Sequence, residues 1–67
     1  MPKLHSSVEV IRVLERNGFA FISQRGSHMK YSCNGRTVIV PANRREIPIG
    51  TFRSIVRQSG LSDSYFC

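Results

Sequence analysis

Cysteine, acidic side chains and long apolar runs are all scarce in this chain, and each shortage removes a class of protein. The two cysteines, Cys33 and Cys67, are too few for a disulfide framework and lack the paired spacing of a zinc site. Cys67 is the last residue and Cys33 falls in an expected strand, so neither reads as a ligand or a nucleophile. No stretch is apolar enough for a signal peptide or a membrane span, which predicts a cytoplasmic protein with no membrane partner. Repeats, linkers and low-complexity segments are missing too, so residues 1–67 are expected to form one domain. A chain of that length buries only about 60% of its unfolded surface, and no deep pocket fits inside it. Its substrate must therefore lie across the surface, which favours a polymer, an extended peptide or a membrane over a small metabolite. No metal and no small-molecule cofactor are expected.

The shortage of acids leaves a positive surplus. Ten lysines and arginines stand against Glu9, Glu15, Glu46 and Asp63, for a net charge of +6. The arginines run from Arg12 to Arg57 instead of collecting in a tail, so the charge belongs to a folded surface. Such a surface concentrates polyanions around it, and phosphate contacts would supply most of its affinity for nucleic acid.

Met1 to His5 is short and polar and reads as an extended lead-in, with His5 a plain surface residue. Ser6 and Glu9 have the spacing of a capping box and start a helix. Val8, Ile11 and Leu14 follow at helical spacing, Val10 and Val13 widen the apolar side, and Asn17-Gly18 supplies the stop. Three strands are then expected, at Phe19–Gln24, His28–Cys33 and Arg36–Pro41, with Phe19, Phe21 and Tyr31 in the core. Asn34-Gly35 between the second and third is a strong two-residue hairpin signal. On the second strand His28, Lys30 and Ser32 share one face, and Met29, Tyr31 and Cys33 share the apolar one. After a polar loop over 42–46, Pro48 suits the first turn of a second helix, whose apolar stripe is Ile49, Phe52, Ile55 and Val56 and whose end is Gly60. Ser62 is placed to cap a terminal turn that carries Tyr65 and Phe66 as a lid on the core. The expected fold is α+β, in the order α-β-β-β-α, with two helices on one face of a three-stranded antiparallel sheet. That order is double-stranded-RNA-binding-domain-like, and such domains read RNA by shape and phosphate contacts.

The chemistry concentrates in Gln24-Arg25-Gly26-Ser27-His28-Met29-Lys30-Tyr31, where an imidazole, two fixed positive charges and a hydroxyl surround one glycine. Gly26 permits a tight turn or a close approach of backbone to a ligand. His28 would then stand where that turn becomes rigid sheet, beside Lys30 on the solvent face. Local chemistry alone also fits a plain hairpin whose strand begins with a surface histidine.

Three segments extend the pattern over most of the chain: Asn17-Gly18-Phe19, the stretch from Gln24 to His28 with Lys30-Tyr31, and the run from Gly50 to Leu61, with Val40-Pro41 between the last two. Together they make the chain similar to the HicA family of bacterial toxin RNases. The resemblance implies a ribosome-independent mRNA interferase of a type II toxin–antitoxin pair, with a double-stranded-RNA-binding-like fold, masked by an antitoxin protein of the HicB type. It places the family's catalytic histidine at His28. After Val-Pro the family often has a second histidine, and here Ala42 and Asn43 stand instead.

In such an enzyme His28 is the expected general base for the ribose 2′-hydroxyl, since an imidazole with an ordinary pKa of about 6.5 is largely neutral at neutral pH. Arg25 and Lys30 are the nearest cations for the negative charge that develops on phosphorus. Gly26 and Ser27 shape the turn and are expected, with Arg25 and Lys30, to contact the RNA phosphate. Ser27 has no acidic neighbour to make it a nucleophile. Arg44 and Arg45 are expected to track the RNA backbone, with Arg53 and Arg57 as weaker candidates on the second helix. Two other functions fit the same residues: a non-catalytic RNA-binding module, and a small adaptor that binds a partner protein.

Overall fold

The computed structural model describes residues 3–66, and in it Ser6 caps the first helix, α1 (Ser7–Arg16). Both halves of the capping box form: Glu9 N donates to Ser6 Oγ at 3.1 Å, and Ser6 N donates to Glu9 Oε1 at 2.9 Å. The Ser6 amide above all holds the Glu9 carboxyl below its ordinary pKa; desolvation opposes it, and Lys3 at 3.7 Å adds a lesser lowering effect. The buried line of α1 is Ser7, Val10 and Leu14, spaced i, i+3, i+7. Val8 is 57% exposed, contrary to the stripe that its spacing to Ile11 suggested. It lies two residues from Val10, about 200° round the helix axis, so a helix seated on Val10 and Leu14 must turn it outward.

Three strands follow: β1 (Ala20–Arg25), β2 (His28–Cys33) and β3 (Arg36–Pro41), antiparallel in the order β1-β2-β3. The first begins one residue later than expected. Phe19 instead belongs to the end of α1, where its amide donates to Leu14 O at 3.0 Å and its ring is buried. Asn34 and Gly35 take φ of 48° and 81°, the paired left-handed turn that joins β2 to β3 in register from Cys33 opposite Arg36 to His28 opposite Pro41. Between β1 and β2 the register shifts at Phe21/Ser23, a bulge around Ile22.

The second helix, α2 (Ile49–Ser59), starts after Pro48 and ends at Gly60. Phe52 and Ile55 are buried with Val10, Leu14, Tyr31, Val38 and Val40, so both helices cover the Tyr31 face of the sheet, as the order of elements predicted. Ile49 is 49% exposed, one residue outside the stripe that packs. Both helices lie over β3 and leave β1 at the open side. That placement corrects the core assignment of Phe21, which is 51% exposed and touches only the edge of the Tyr31 ring, at 5.7 Å and 74°. It points to the covered face, yet no helix reaches far enough to cover it.

One further difference concerns the lead-in before α1. His5 is not a plain surface residue: its ring stacks on Phe52 at 4.6 Å and 18°, and its carbonyl accepts from Ile47 N at 2.7 Å. Ile47, directly after the expected polar loop over 42–46, is fully buried. The terminal turn, the 3-10 helix Asp63–Phe66, does close over the core through Phe66, which meets Phe52 edge-on at 5.5 Å, while Tyr65 is exposed. Cys67 lies outside the described residues, and Cys33 is a half-buried free thiol beside Asn17 O.

Candidate active site

The β1–β2 hairpin closes on a two-residue turn, Gly26-Ser27, with Arg25 and His28 as the facing pair on either side. Gly26 has φ +59°, and no atom lies within 4 Å of the place a Cβ would take, so backbone conformation alone makes glycine suitable there. The turn is held from both flanks. Gln24 Nε2 donates to Gly26 O at 2.9 Å, and Ala42 N donates to Ser27 O at 2.7 Å, which ties the turn to the end of β3. His28 is therefore the first residue of rigid sheet, opposite Pro41 and exposed.

Register decides the neighbours of His28. Ser23 pairs with Lys30, Arg25 with His28 and Ile39 with Lys30, so these side chains share the uncovered face. Ser23, Arg25, His28, Lys30 and Ile39 line one shallow groove. On the other side of His28, a second groove runs between the sheet and α2. His28, Ile39 and Pro41 form its sheet side, Arg44 stands at one end, and Thr51, Ser54 and Gln58 form the helix side. His28 thus borders both. No acidic side chain lines either groove, so the positive charge of Arg25, Lys30 and Arg44 is uncompensated there. Among the described residues no three His, Cys, Asp or Glu side chains come close enough together to hold a metal ion. Tyr31, between His28 and the Asn34-Gly35 turn on β2, points to the opposite face; burial first, and the Glu15 carboxylate second, push its phenol above the ordinary pKa.

Arg44 is positioned by its backbone. Ser7 N donates to Arg44 O at 2.9 Å, Arg44 N donates to Ser7 Oγ at 3.0 Å, and Ser7 Oγ in turn donates to Pro41 O. Ser7 is only 2% exposed, so one buried hydroxyl fastens the 41–44 segment to α1 beside His28. Arg45 lines a groove on the α1 side with Val8, Ile11 and Met29, which Arg44 also borders and which does not include His28. Of the two adjacent arginines that the sequence named, only Arg44 also reaches the groove at His28. Arg53 and Arg57 are exposed on α2 and line neither groove at His28. Thr51, Ser54 and Gln58 went unnoticed in the sequence, though their i, i+3, i+7 spacing marks a polar line next to the apolar stripe of α2.

Comparison with known proteins bears directly on this arrangement. The family described as HicA toxin of bacterial toxin-antitoxin matches residues 7–61, which take in both helices, the three strands and the turn before His28. A "Probable mRNA interferase HicA" of Pseudomonas fluorescens (strain Pf0-1) is 39% identical over 56 residues, 82% of this chain and 93% of that protein. The chain belongs to the HicA toxin family. The HicA match begins at Ser7, the residue that fastens Arg44, and ends at Leu61; His5 and the terminal turn with Phe66 lie outside it. No helix among the described residues of this HicA-family chain is long and apolar enough to cross a membrane.

Proposed function

We propose that this HicA-family chain is an mRNA interferase, an endoribonuclease that works through His28 without a divalent metal. The observation that carries this reading is the placement of His28: exposed, at the rigid start of a strand, on the boundary of two open grooves and flanked on its own face by Arg25 and Lys30. RNA laid along that face brings a phosphate between the two cations. The neutral imidazole takes the proton of the ribose 2′-hydroxyl, the 2′-oxygen bonds to phosphorus, and the bond from phosphorus to the 5′-oxygen breaks. Arg25, with its planar fork, and Lys30, as a point charge, stabilise the added negative charge on the phosphoryl oxygens. The leaving 5′-oxygen departs on the far side of phosphorus. Ala42 and Asn43 offer no imidazole there, and the open groove lets water supply that proton. Gly26 and Ser27 contribute by fixing where the His28 ring starts.

The relative that matches over most of both chains is named a probable mRNA interferase, which supports RNA as the substrate here. Membership of a toxin–antitoxin family supports a second, protein partner of the HicB type. A site built on an open surface cannot be closed from within, so the antitoxin must act by covering it.

Cleavage of a defined RNA in the presence of a chelator tests the chemistry, with the fragment ends identified afterwards. The expected products carry a 2′,3′-cyclic phosphate at one end and a 5′-hydroxyl at the other, and His28→Ala is expected to yield none while its thermal unfolding stays close to that of the parent. Fragments with 3′-hydroxyl and 5′-phosphate ends, or cleavage abolished by the chelator, would rule out attack by the 2′-oxygen with His28 as base. Retention of RNA without cleavage by the parent protein would favour a binding module.

A further inference from the structure

The two grooves that meet at His28 differ in chemistry, and the difference assigns them different parts of a nucleotide. The Ser23–Arg25–Lys30 groove offers two full positive charges and suits phosphate oxygens. The groove toward α2 shares His28 and has Arg44 as its one full charge, an apolar floor of Ile39, Pro41 and Pro48, and a wall of neutral hydrogen-bonding groups from Thr51, Ser54 and Gln58. An apolar floor with a few directed polar groups along one side is what a flat heterocycle needs, one face to stack and one edge to hydrogen-bond.

The hydrogen bonds already made on that wall decide what it still offers. Ile39 N, on the outer edge of β3, donates to Gln58 Oε1 at 3.0 Å, which fixes the carboxamide so that its NH2 is the end left for a ligand. Ser54 Oγ gives its proton to Gly50 O at 3.2 Å and so presents lone pairs. Between them the helix shows a donor and an acceptor four residues apart on one face, with the Thr51 hydroxyl nearby able to play either part.

We propose that the groove between β3 and α2 is a nucleobase pocket, which holds an unpaired base next to the cleaved phosphate and gives the enzyme its sequence preference through Gln58, Ser54 and Thr51. The inference rests on the RNase reading of His28. Phosphate contacts at Arg25 and Lys30 position the strand, and the base contacts choose where along it cleavage falls.

Two measurements separate this inference from the reading beneath it. In the first, a mixed-sequence RNA is cut by the parent, by Gln58→Glu, by Thr51→Val and by Lys30→Ala, and the cut sites are sequenced. Gln58→Glu keeps the acceptor for Ile39 N and replaces the donor with an acceptor. It should change base preference beside the cut by about tenfold, with a smaller change for Thr51→Val, while Lys30→Ala should slow all sites alike with the preference intact. Unchanged preference in both pocket variants, with cleavage maintained, overturns the pocket and leaves the RNase reading standing. In the second, His28→Ala is titrated with a mononucleotide and with abasic ribose phosphate, and the backbone amides are followed by NMR. Shifts at residues 51, 54 and 58 that require the base support the pocket even if the parent cuts no RNA. Identical shifts with both ligands overturn it.

Discussion

Ser7 carries one hydroxyl, and that hydroxyl serves two backbone groups 34 and 37 residues away, the carbonyl of Pro41 and the amide of Arg44. Both lie on the segment that forms one end of the groove at His28. Replacing Ser7 by alanine leaves those groups without their partner in a site almost closed to water, a loss of about 1–3 kcal/mol. Urea denaturation should show it as a lower midpoint, and RNA cleavage should fall as well because Arg44 loses its anchor. An unchanged midpoint would mean that water replaces the hydroxyl. His28 behaves in the opposite way: it is exposed, so its removal should shift stability by no more than about 0.5 kcal/mol while the chemistry disappears. Ser7 acts on the groove at His28 only through Arg44, and stability and activity measured together on each variant separate a positioning group from a reacting one.

At the scale of elements, α1 depends on its N-terminus and α2 on its contact with β3. The Ser6–Glu9 capping box satisfies two amides that the helix itself leaves unpaired, and Ser6→Ala should cost about 1 kcal/mol. Glu9 adds a pH dependence of known sign. Its carboxyl sits below the ordinary 4.5 in the folded protein, so the stability it contributes is fully present above that value and is lost as pH falls through the lower folded value. Denaturation midpoints taken from neutral pH into this acid range should decline less steeply in Glu9→Gln than in the parent; equal slopes would show that Glu9 is not coupled to folding. On the other side of the molecule, Gln58 Oε1 occupies the amide of Ile39 on the free edge of β3, so α2 both covers the core and blunts that edge. No such cover exists over β1, where Phe21 and Ile22 are more than half exposed.

For the whole molecule, the net charge of +6 matters through where it is displayed. Arg25, Lys30 and Arg44 border the grooves at His28, and Arg45 faces the α1 side. If RNA follows the grooves, log affinity of the His28→Ala protein for single-stranded RNA should fall linearly with log salt, and removing Arg25, Lys30 or Arg44 should reduce the slope by about 0.7 each. Arg45→Ala should leave the slope as it was; a reduction equal to the others would place the strand across the α1 side instead. A partner that silences the protein must cover the same grooves, so co-expression with a HicB-type antitoxin should restore growth, and RNA should no longer reach His28 in the complex. RNA binding that persists in the complex would rule out direct masking.

Local pattern and composition determined much of this protein without help from the fold. The Ser6–Glu9 spacing, the Asn34-Gly35 turn and the alternation on β2 each act within a few residues, so the order of elements and the solvent-facing position of His28 and Lys30 were legible in the chain. The charge surplus needed only counting. Contacts between distant segments were decided by tertiary structure alone. Nothing near Phe21 says that the helices stop short of β1, nothing near His5 predicts Phe52 beneath it, and nothing in Arg44-Arg45 says that only the first also lines the groove at His28. Thr51, Ser54 and Gln58 form a readable polar line, but only the packing of α2 along β3 brings it to His28. Periodicity assigns a side chain to a face of its own element; which other element meets that face is set by how all the apolar surfaces close on one another, and a site made from two elements exists only after they have closed.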